Sequence, residues 1–316
     1  MRALISRILA SEPFRDRPPV CVDVGASGEL PNEWRLLAPH SVCVAFDADN
    51  RDFQVEDSAS GEWKRLVKLN RLVAEQPGEG VDFYLTKSPH CSSRLQPDNS
   101  ALQPWAFSEL FEIERKISLP AISLPQAFKE LGISHVDWFK TDSQGTDLRI
   151  FASLPPEVID RMIVADFEPG ILDAYHGEDK LFSLMAFMST RPFFVSDLDV
   201  KGSQRISRSS LSSLGRRDAK FIRFLLKKSP GWAEISYLNT FDGNAPSKRD
   251  LLLGWICSSI KRQDGHALGI AERGIREQRD PLFEECRRTS VQRLRRRYPN
   301  LALRAAKSAV SRLLPK

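Results

Sequence analysis

The 316-residue sequence has few cysteines and no close pair of them. The five are Cys21, Cys43, Cys91, Cys257 and Cys286. An odd number of scattered cysteines without a Cys-x-x-Cys spacing is typical neither of a disulfide framework nor of a zinc site. We therefore expect buried thiols in a protein from a reducing compartment.

The N-terminus also lacks a long apolar run. Residues 1–18 are too short and too interrupted in their apolar pattern for a signal peptide or a membrane span. They predict a short amphipathic helix, and the protein is expected to be cytoplasmic.

A third glycine is missing from the segment that resembles a nucleotide-binding turn, residues 19–30. A buried strand, Val20–Val24, precedes a turn that has glycine only at Gly25 and Gly28. Dinucleotide-binding enzymes use G-x-G-x-x-G, and the carboxylate of Glu29 would repel a pyrophosphate. S-adenosylmethionine carries an ammonium, a sulfonium and a ribose but no phosphate, so the turn favours it over NAD. The alternative is a structural turn that binds nothing.

Acidic residues occupy the positions that would contact S-adenosylmethionine. Asp23 lies inside the first strand, where it could meet a ligand's ammonium group. A helix and a second strand, 41–46, are predicted to follow the turn, and that strand ends at Asp47 and Asp49. An acid in that position binds ribose hydroxyls in βαβ units.

Strands and helices alternate up to about residue 200, which predicts an α/β fold with a doubly wound, mostly parallel sheet. A helix is also predicted over 102–113. Three strands end in an acid, at Asp47, Asp142 and Glu168. Because parallel strands end at the same edge of a sheet, these acids predict a site there.

Residues 201–316 are strongly basic, with 26 Lys and Arg against 10 Asp and Glu in a chain of net charge +5. Apolar spacing predicts helices over 249–261, 267–278, 282–297 and 300–314. The last has a basic face and an apolar stripe, so it could dock on its own domain, contact an anionic membrane peripherally or recruit an anionic substrate. Nucleic acid is disfavoured because aromatic residues for base stacking are sparse there.

Several motifs in fixed order resemble one family. They are VDVGASGELPNEW, FDAD, FYLTKSPHCSSRLQPD, DWFKTDSQGTDL, DFEP and YHGE. Over about residues 19–206 the sequence resembles the FkbM-type S-adenosylmethionine-dependent methyltransferases, which mostly O-methylate polyketides, sugars or other small hydroxylated molecules. That family often has glycine at the position of Glu29, which concerns the entry to the following helix more than cofactor binding.

The resemblance implies a class I methyltransferase, Rossmann-like domain over 19–206, followed by a basic, mainly helical region over 207–316. The expected activity is O-methylation of a sugar, a glycan or another small polyhydroxylated molecule. The expected cofactor-binding residues are Asp23, Gly25, Ala26, Ser27, Gly28, Asp47 and Asp49. The catalytic candidates are Asp142, Glu168, Lys140 and His176, and the substrate-binding candidates are Ser92, Ser93, Gln144 and Tyr175. A divalent metal between Asp142 and Glu168 is conceivable, but the spacing does not require one.

Two other functions stay open. An NAD(P)-dependent nucleotide-sugar oxidoreductase or epimerase would be expected to have the third glycine and a Tyr-x-x-x-Lys pair, which the sequence lacks. A non-catalytic binding module could keep the same fold, since fold alone does not determine function.

Overall fold

The computed structural model describes residues 1–28, 30–51, 62–215, 218, 221, 225–243 and 245–296. The chain forms two compact units. One is Pro18–Gly243, and the other combines Met1–Arg17 with Asn244–Lys316.

The larger unit contains a seven-stranded sheet in the order β3-β2-β1-β7-β8-β10-β9. The first five of these strands are parallel, and β10 runs antiparallel to both of its neighbours. The predicted α/β architecture with a mostly parallel sheet is thereby confirmed. The strands are β1 (Val20–Val24), β2 (Val42–Phe46), β3 (Arg65–Leu69), β7 (Trp138–Thr141), β8 (Val164–Phe167), β9 (Phe193–Gln204) and β10 (Lys228–Asn239).

A polar row crosses the otherwise apolar middle of this sheet. The register places Asp23 of β1 beside Lys140 of β7, Lys140 beside Asp166 of β8, and Asp166 beside Ser236 of β10. Lys140 Nζ donates to Asp23 Oδ1 at 2.8 Å, and Ser236 Oγ donates to Asp166 Oδ1. Hydrogen bonds between neighbouring strands therefore connect the members of this row.

A second, three-stranded sheet has the order β4-β6-β5. Its strands are β4 (Leu72–Val73), β5 (Gly78–Thr86) and β6 (Ile113–Ile122). The helices of this unit are α3 (Asn99–Leu102), α4 (Leu124–Leu131), α5 (Asp147–Ala152), α6 (Pro156–Ile159), α7 (Leu181–Met188) and α8 (Arg208–Ser213).

Two predicted helices are wrong. The segment after the glycine turn forms short 3-10 helices, Asn32–Leu36 and Ala38–His40, and Pro39 has no N–H with which an α-helix could continue through it. The predicted helix over 102–113 is a 3-10 turn, Ser108–Phe111, that leads into β6. There Pro104 removes a helical donor directly after α3.

The α/β unit continues past the predicted boundary at residue 206. β9 ends at Gln204, and the chain returns to the sheet as β10, which the prediction of a mainly helical region over 207–316 missed. Helices do follow from residue 248 onward.

The smaller unit is helical. It comprises α1 (Arg2–Leu9), α2 (Glu12–Asp16), α9 (Lys248–Ile260), α10 (Asp264–Gln278) and α11 (Pro281–Arg295). A capping box of Ser247 and Asp250 begins α9. The N-terminal helix and the three helices predicted within 249–297 are confirmed, whereas the helix predicted over 300–314 lies outside the described residues. The three roles proposed for that helix therefore stay predictions.

All five cysteines are buried and carry free thiols, as predicted. Among the helices in the described part of the chain, none has the length and apolarity needed to cross a membrane.

Candidate functional site

The candidate site lies where the strand order of the sheet reverses. β2 and β3 lie on one side of β1, and β7 and β8 lie on the other. The loops after β1 and β7 leave in different directions at such a point, and ligands of open α/β sheets bind in the crevice between them.

Gly25 lets these two loops touch. A Cβ atom at Gly25 would lie 2.1 Å from the carbonyl oxygen of Asp142, and the φ of Gly25 is +81°. The backbone N–H of Asp142 donates to the carbonyl of Val24 at 2.9 Å. Only glycine fits this approach, so the glycine predicted to approach a ligand also holds the two loops together.

The first cavity, here the β1–β2 crevice, is formed by the ends of β1 and β2, the start of β4, the loop of residues 87–94 and the loop after β7. Its lining includes Gly25, Ser27, Asp47, Asp49, Arg71, Leu72, Val73, Phe83, His90, Ser92, Arg94, Asp142 and Gln144. The ends of β1, β2 and β7 therefore meet at one edge, as predicted.

Asp47 is the acid of the crevice with the fewest compensating contacts. It is 7% exposed, and its Oδ1 accepts the backbone N–H of Asp49 at 2.7 Å. Burial, together with the charges of Asp49, Asp142 and Asp23, raises the pKa of Asp47 to about 7. A buried carboxylate with this pKa gains from hydroxyl groups that donate to it.

Asp49 differs because it already has a cationic partner. Arg51 NH2 donates to Asp49 Oδ2 at 2.6 Å and to Ser92 Oγ at 3.0 Å. Burial opposes the shift, but the hydrogen bonds from Arg51 hold the pKa of Asp49 below its usual value. Asp49 and Ser92 thus line the crevice while tying Arg51 to it.

Asp23 lies in the sheet and is 1% exposed. Its Oδ1 accepts from Lys140 at 2.8 Å, whereas its Oδ2 is buried without a hydrogen-bond partner among the described residues. Although burial opposes it, the charges of Asp23 and Asp142 hold the pKa of Lys140 above its usual range. Within this structure the ammonium beside Asp23 is that of Lys140, not of a ligand.

The first backbone N–H groups of the glycine turn already donate hydrogen bonds within the protein. The N–H groups of Gly25 and Ala26 both donate to the carbonyl of Phe46 at 2.9 Å. Ala26 is buried against Ala45, while Ser27 Oγ lies 3.3 Å from Nδ1 of His90. Of the turn, Gly25 and Ser27 face the crevice.

A second and larger cavity, here the aromatic cavity, has a volume of about 540 Å³. Its walls come from the segment before β6, the loop after β8 and the β9–β10 hairpin. The lining includes His90, Cys91, Phe107, Leu110, Phe111, Asp142, Gln144, Glu168, Leu172, Tyr175, Glu178, Ser203 and Trp232. His90, Asp142 and Gln144 line both cavities.

Asp142 and Glu168 form a carboxyl pair in the aromatic cavity. A hydrogen bond joins the two groups. Burial raises the pKa of Asp142, although Lys140 and the amide of Gln144 oppose this shift. Burial and the charge of Asp142 raise the pKa of Glu168 well above the usual range, so the two carboxyl groups can share one proton at neutral pH.

Gln144 is held in an unusual backbone conformation, with φ at 54°. Ser93 Oγ donates to its carbonyl at 2.7 Å, and the hydroxyl of Tyr175 donates to its Oε1 at 2.9 Å. The Nε2 group of Gln144 in turn donates to Asp142. Such strain persists only where neighbouring contacts impose it, and here it orients the Asp142 carboxylate.

The four substrate-binding candidates therefore lie in different parts of the site. Gln144 and Tyr175 line the aromatic cavity, Ser92 lines the crevice, and Ser93 is buried as a support for Gln144. His176 is placed elsewhere: its side chain is 60% exposed, and its Nδ1 lies 3.5 Å from Asp98.

The sequence interpretation missed His90 and Trp232. His90 follows β5 (Gly78–Thr86) closely, so its position after a strand end was a usable signal. Trp232 belongs to β10, which was not predicted as a strand, and its Nε1 is buried without a partner among the described residues.

The part of the chain that the structure describes contains no group of three or more His, Cys, Asp or Glu side chains placed to bind a metal ion. No protein-family model matches the sequence, and no curated protein is similar enough to count as a relative. The family resemblance of the motifs therefore stays a prediction.

We predict opposite stability effects for Asp47→Asn and Asp49→Asn. The folded-state pKa of Asp47 is raised, so its ionisation costs stability progressively as pH rises from about 4 to about 7. Asp47→Asn should therefore stabilise the ligand-free protein by about 1–3 kcal/mol at pH 8 and by less at pH 5.

Asp49 is the matched control, since its pKa is lowered by Arg51 and its ionised form stabilises the fold above its unfolded-state pKa. Asp49→Asn should lower the melting temperature at pH 8. Thermal denaturation of both variants at several pH values makes the comparison. A destabilised Asp47→Asn protein at pH 8 would show that Asp47 supports the fold.

Proposed function

We propose that this protein is an S-adenosylmethionine-dependent O-methyltransferase acting on a hydroxyl group of a sugar, a glycan or another small polyhydroxylated molecule. The observation that carries the proposal is that two cavities at the switch point share Asp142 and Gln144. A group-transfer enzyme needs a donor site and an acceptor site that meet at the reacting atoms, and this arrangement provides both.

The residues of the β1–β2 crevice fit the cofactor. Asp47 would accept the ribose hydroxyls, and the apolar wall of Leu72, Val73 and Phe83 suits an adenine ring. The crevice is narrow, about 60 Å³, so binding must widen it. The exposed side chains of Arg71 and His90 at its wall are the ones that can turn aside.

Two features disfavour a dinucleotide. Pyrophosphate binding uses free backbone N–H groups at the N-terminus of an α-helix. Here the N–H groups of Gly25 and Ala26 bind Phe46, and the next element is the 3-10 helix Asn32–Leu36.

NAD(P) remains the second candidate because of two cations. The guanidinium groups of Arg71 and Arg94 line the crevice, and guanidinium groups bind phosphate well. Arg94 already pairs with Glu75, which reduces its availability.

S-adenosylmethionine, when bound, supplies a methyl group on a positively charged sulfur. This chain's part is to hold the acceptor hydroxyl in the aromatic cavity and to take its proton. Asp142 is the base in this proposal, because the charge of Lys140 and the hydrogen bond from Gln144 favour its ionised form. Gln144 orients it, and a positioned general base contributes about 10²–10⁴-fold.

Calorimetry tests the cofactor. The full-length protein should bind S-adenosylmethionine, and Asp47→Asn should weaken binding by about 1.5–3 kcal/mol, the scale of a hydrogen bond to a charged group. His176→Ala, outside both cavities, is the matched control and should bind normally. Tight binding of NAD(P) without binding of S-adenosylmethionine would reject the proposal in favour of the second candidate.

The assigned base is tested by a pair of isosteric variants. Glu168→Gln keeps a neutral hydrogen-bond donor to Asp142, so its activity at neutral pH should stay within a few-fold of wild type. Asp142→Asn removes the base and should lose at least about a hundredfold.

Activity is read as methyl incorporation from labelled cofactor into an acceptor found in a panel of neutral, amino and phosphorylated sugars and polyols. If Glu168→Gln were the inactive variant and Asp142→Asn the active one, the base would be Glu168.

A further inference from the structure

The aromatic cavity has a continuous wall of aromatic rings. Phe107 contacts Trp232 with ring centroids 6.2 Å apart and Phe111 with centroids 5.3 Å apart. Phe111 continues to Tyr175 at 5.6 Å. All four residues line the cavity. The faces of aromatic rings are electron-rich and their edges are electron-poor, so such a wall attracts a cation that lies over a ring face.

The charged side chains that line this cavity are acidic. They are Asp142, Glu168 and Glu178, and neither Lys nor Arg belongs to the lining in the described part of the chain. Glu178 is neutralised by Lys180, which contacts it directly and also lies 2.9 Å from Asp173. Lys140 acts on Asp142 and Glu168 but is also paired with Asp23, so these three acids outnumber the cation that they share.

Cations on the adjoining hairpin are paired with acids as well. Lys201 of β9 lies 2.7 Å from Asp199 and 3.4 Å from Glu234. The charge of Glu234 also reaches Glu168 and adds to the negative potential there. A phosphate or carboxylate in this cavity would therefore meet acids before it met a free cation.

We propose that the acceptor bound in the aromatic cavity is a hydroxylated amine, whose ammonium group is recognised by the aromatic wall and by the Asp142–Glu168 pair. As the identity of a methyl acceptor this rests on the proposed function, whereas the recognition of an ammonium group rests on the cavity alone. Phosphorylated and nucleotide-linked sugars are then excluded as acceptors.

Aromatic faces and buried carboxylates favour the same ligand charge. A cation over an aromatic face is attracted to the ring, and more strongly when water is excluded. A carboxylate that is only partly neutralised gains further from a nearby ammonium group and repels an anion.

Three probes of equal framework and different charge test this recognition: benzylammonium, benzyl alcohol and benzyl phosphate. Calorimetry with the full-length protein at neutral pH and low salt should show benzylammonium binding at least about tenfold more tightly than benzyl alcohol. Benzyl phosphate should bind most weakly.

Two variants test which residues cause the preference for benzylammonium over benzyl alcohol. The double variant Asp142→Asn, Glu168→Gln keeps the shape of the pair and removes its charge, and it should bring benzylammonium to within about threefold of benzyl alcohol. Trp232→Leu removes one aromatic face and should weaken benzylammonium more than benzyl alcohol. Phe182→Ala, at a side chain 73% exposed on α7, is the matched control and should keep the full preference.

The outcomes separate the two proposals. Equal binding of benzylammonium and benzyl alcohol, or preferred binding of benzyl phosphate, overturns the inference, even if S-adenosylmethionine binds. If the benzylammonium preference holds and disappears in the double variant while S-adenosylmethionine fails to bind, the ammonium site stands and the methyltransferase proposal falls. If Trp232→Leu does not fold, the double variant still tests whether the charge of the carboxyl pair causes the preference for benzylammonium.

Discussion

The carboxylates that crowd one edge of the central sheet are the constraint on which the site depends. Asp23, Asp47, Asp142 and Glu168 lie on or directly after four adjacent parallel strands, β1, β2, β7 and β8, and Lys140 lies among them. Lys140 pairs with Asp23, so repulsion among the other acids is relieved by protons instead. Burial, and after it this repulsion, raises the pKa values of Asp47 and Glu168. A fold that keeps such a cluster loses stability to it, which is typical of functional sites.

The contact between Gly25 and Asp142 divides this edge into two compartments. On one side, Asp47 and the apolar wall of β4 and β5 form the crevice, and on the other, the β9–β10 hairpin closes the aromatic cavity. Gln144, strained and held from behind by Ser93 and Tyr175, faces both. The division gives Asp142 access to two ligands at once, which is what a transfer reaction requires.

The sequence predicts which strands end at the site better than it predicts which side chains pair within the site. Short buried runs ending in an acid located Asp47, Asp142 and Glu168 correctly, because such runs mark strands and parallel strands end together. The pairing of Asp23 with Lys140 could not be read in this way, because it joins residues 117 positions apart through sheet register. The pairing of Asp49 with Arg51 could not be predicted either. These two residues are close in sequence, but local sequence does not show which acid receives a cation.

Secondary structure was predicted wrongly from the local sequence at a proline and at the β9–β10 hairpin. Pro39 prevents the expected α-helix from continuing, and the segment forms 3-10 helices, although this proline was visible in the sequence. β10 was missed because its apolar pattern follows a break in the alternation of strands and helices, and with it Trp232 was missed. His176 and His90 are both loop histidines, and only the tertiary arrangement shows that His90 reaches the cavities.

A crystal structure of the full-length protein with S-adenosylhomocysteine, the demethylated cofactor, tests the central claim most directly. The account predicts that the ribose hydroxyls donate to Asp47 in a widened β1–β2 crevice and that the sulfur faces Asp142 and the aromatic cavity. A ligand seated away from Asp47, or with its sulfur turned away from Asp142, would contradict it.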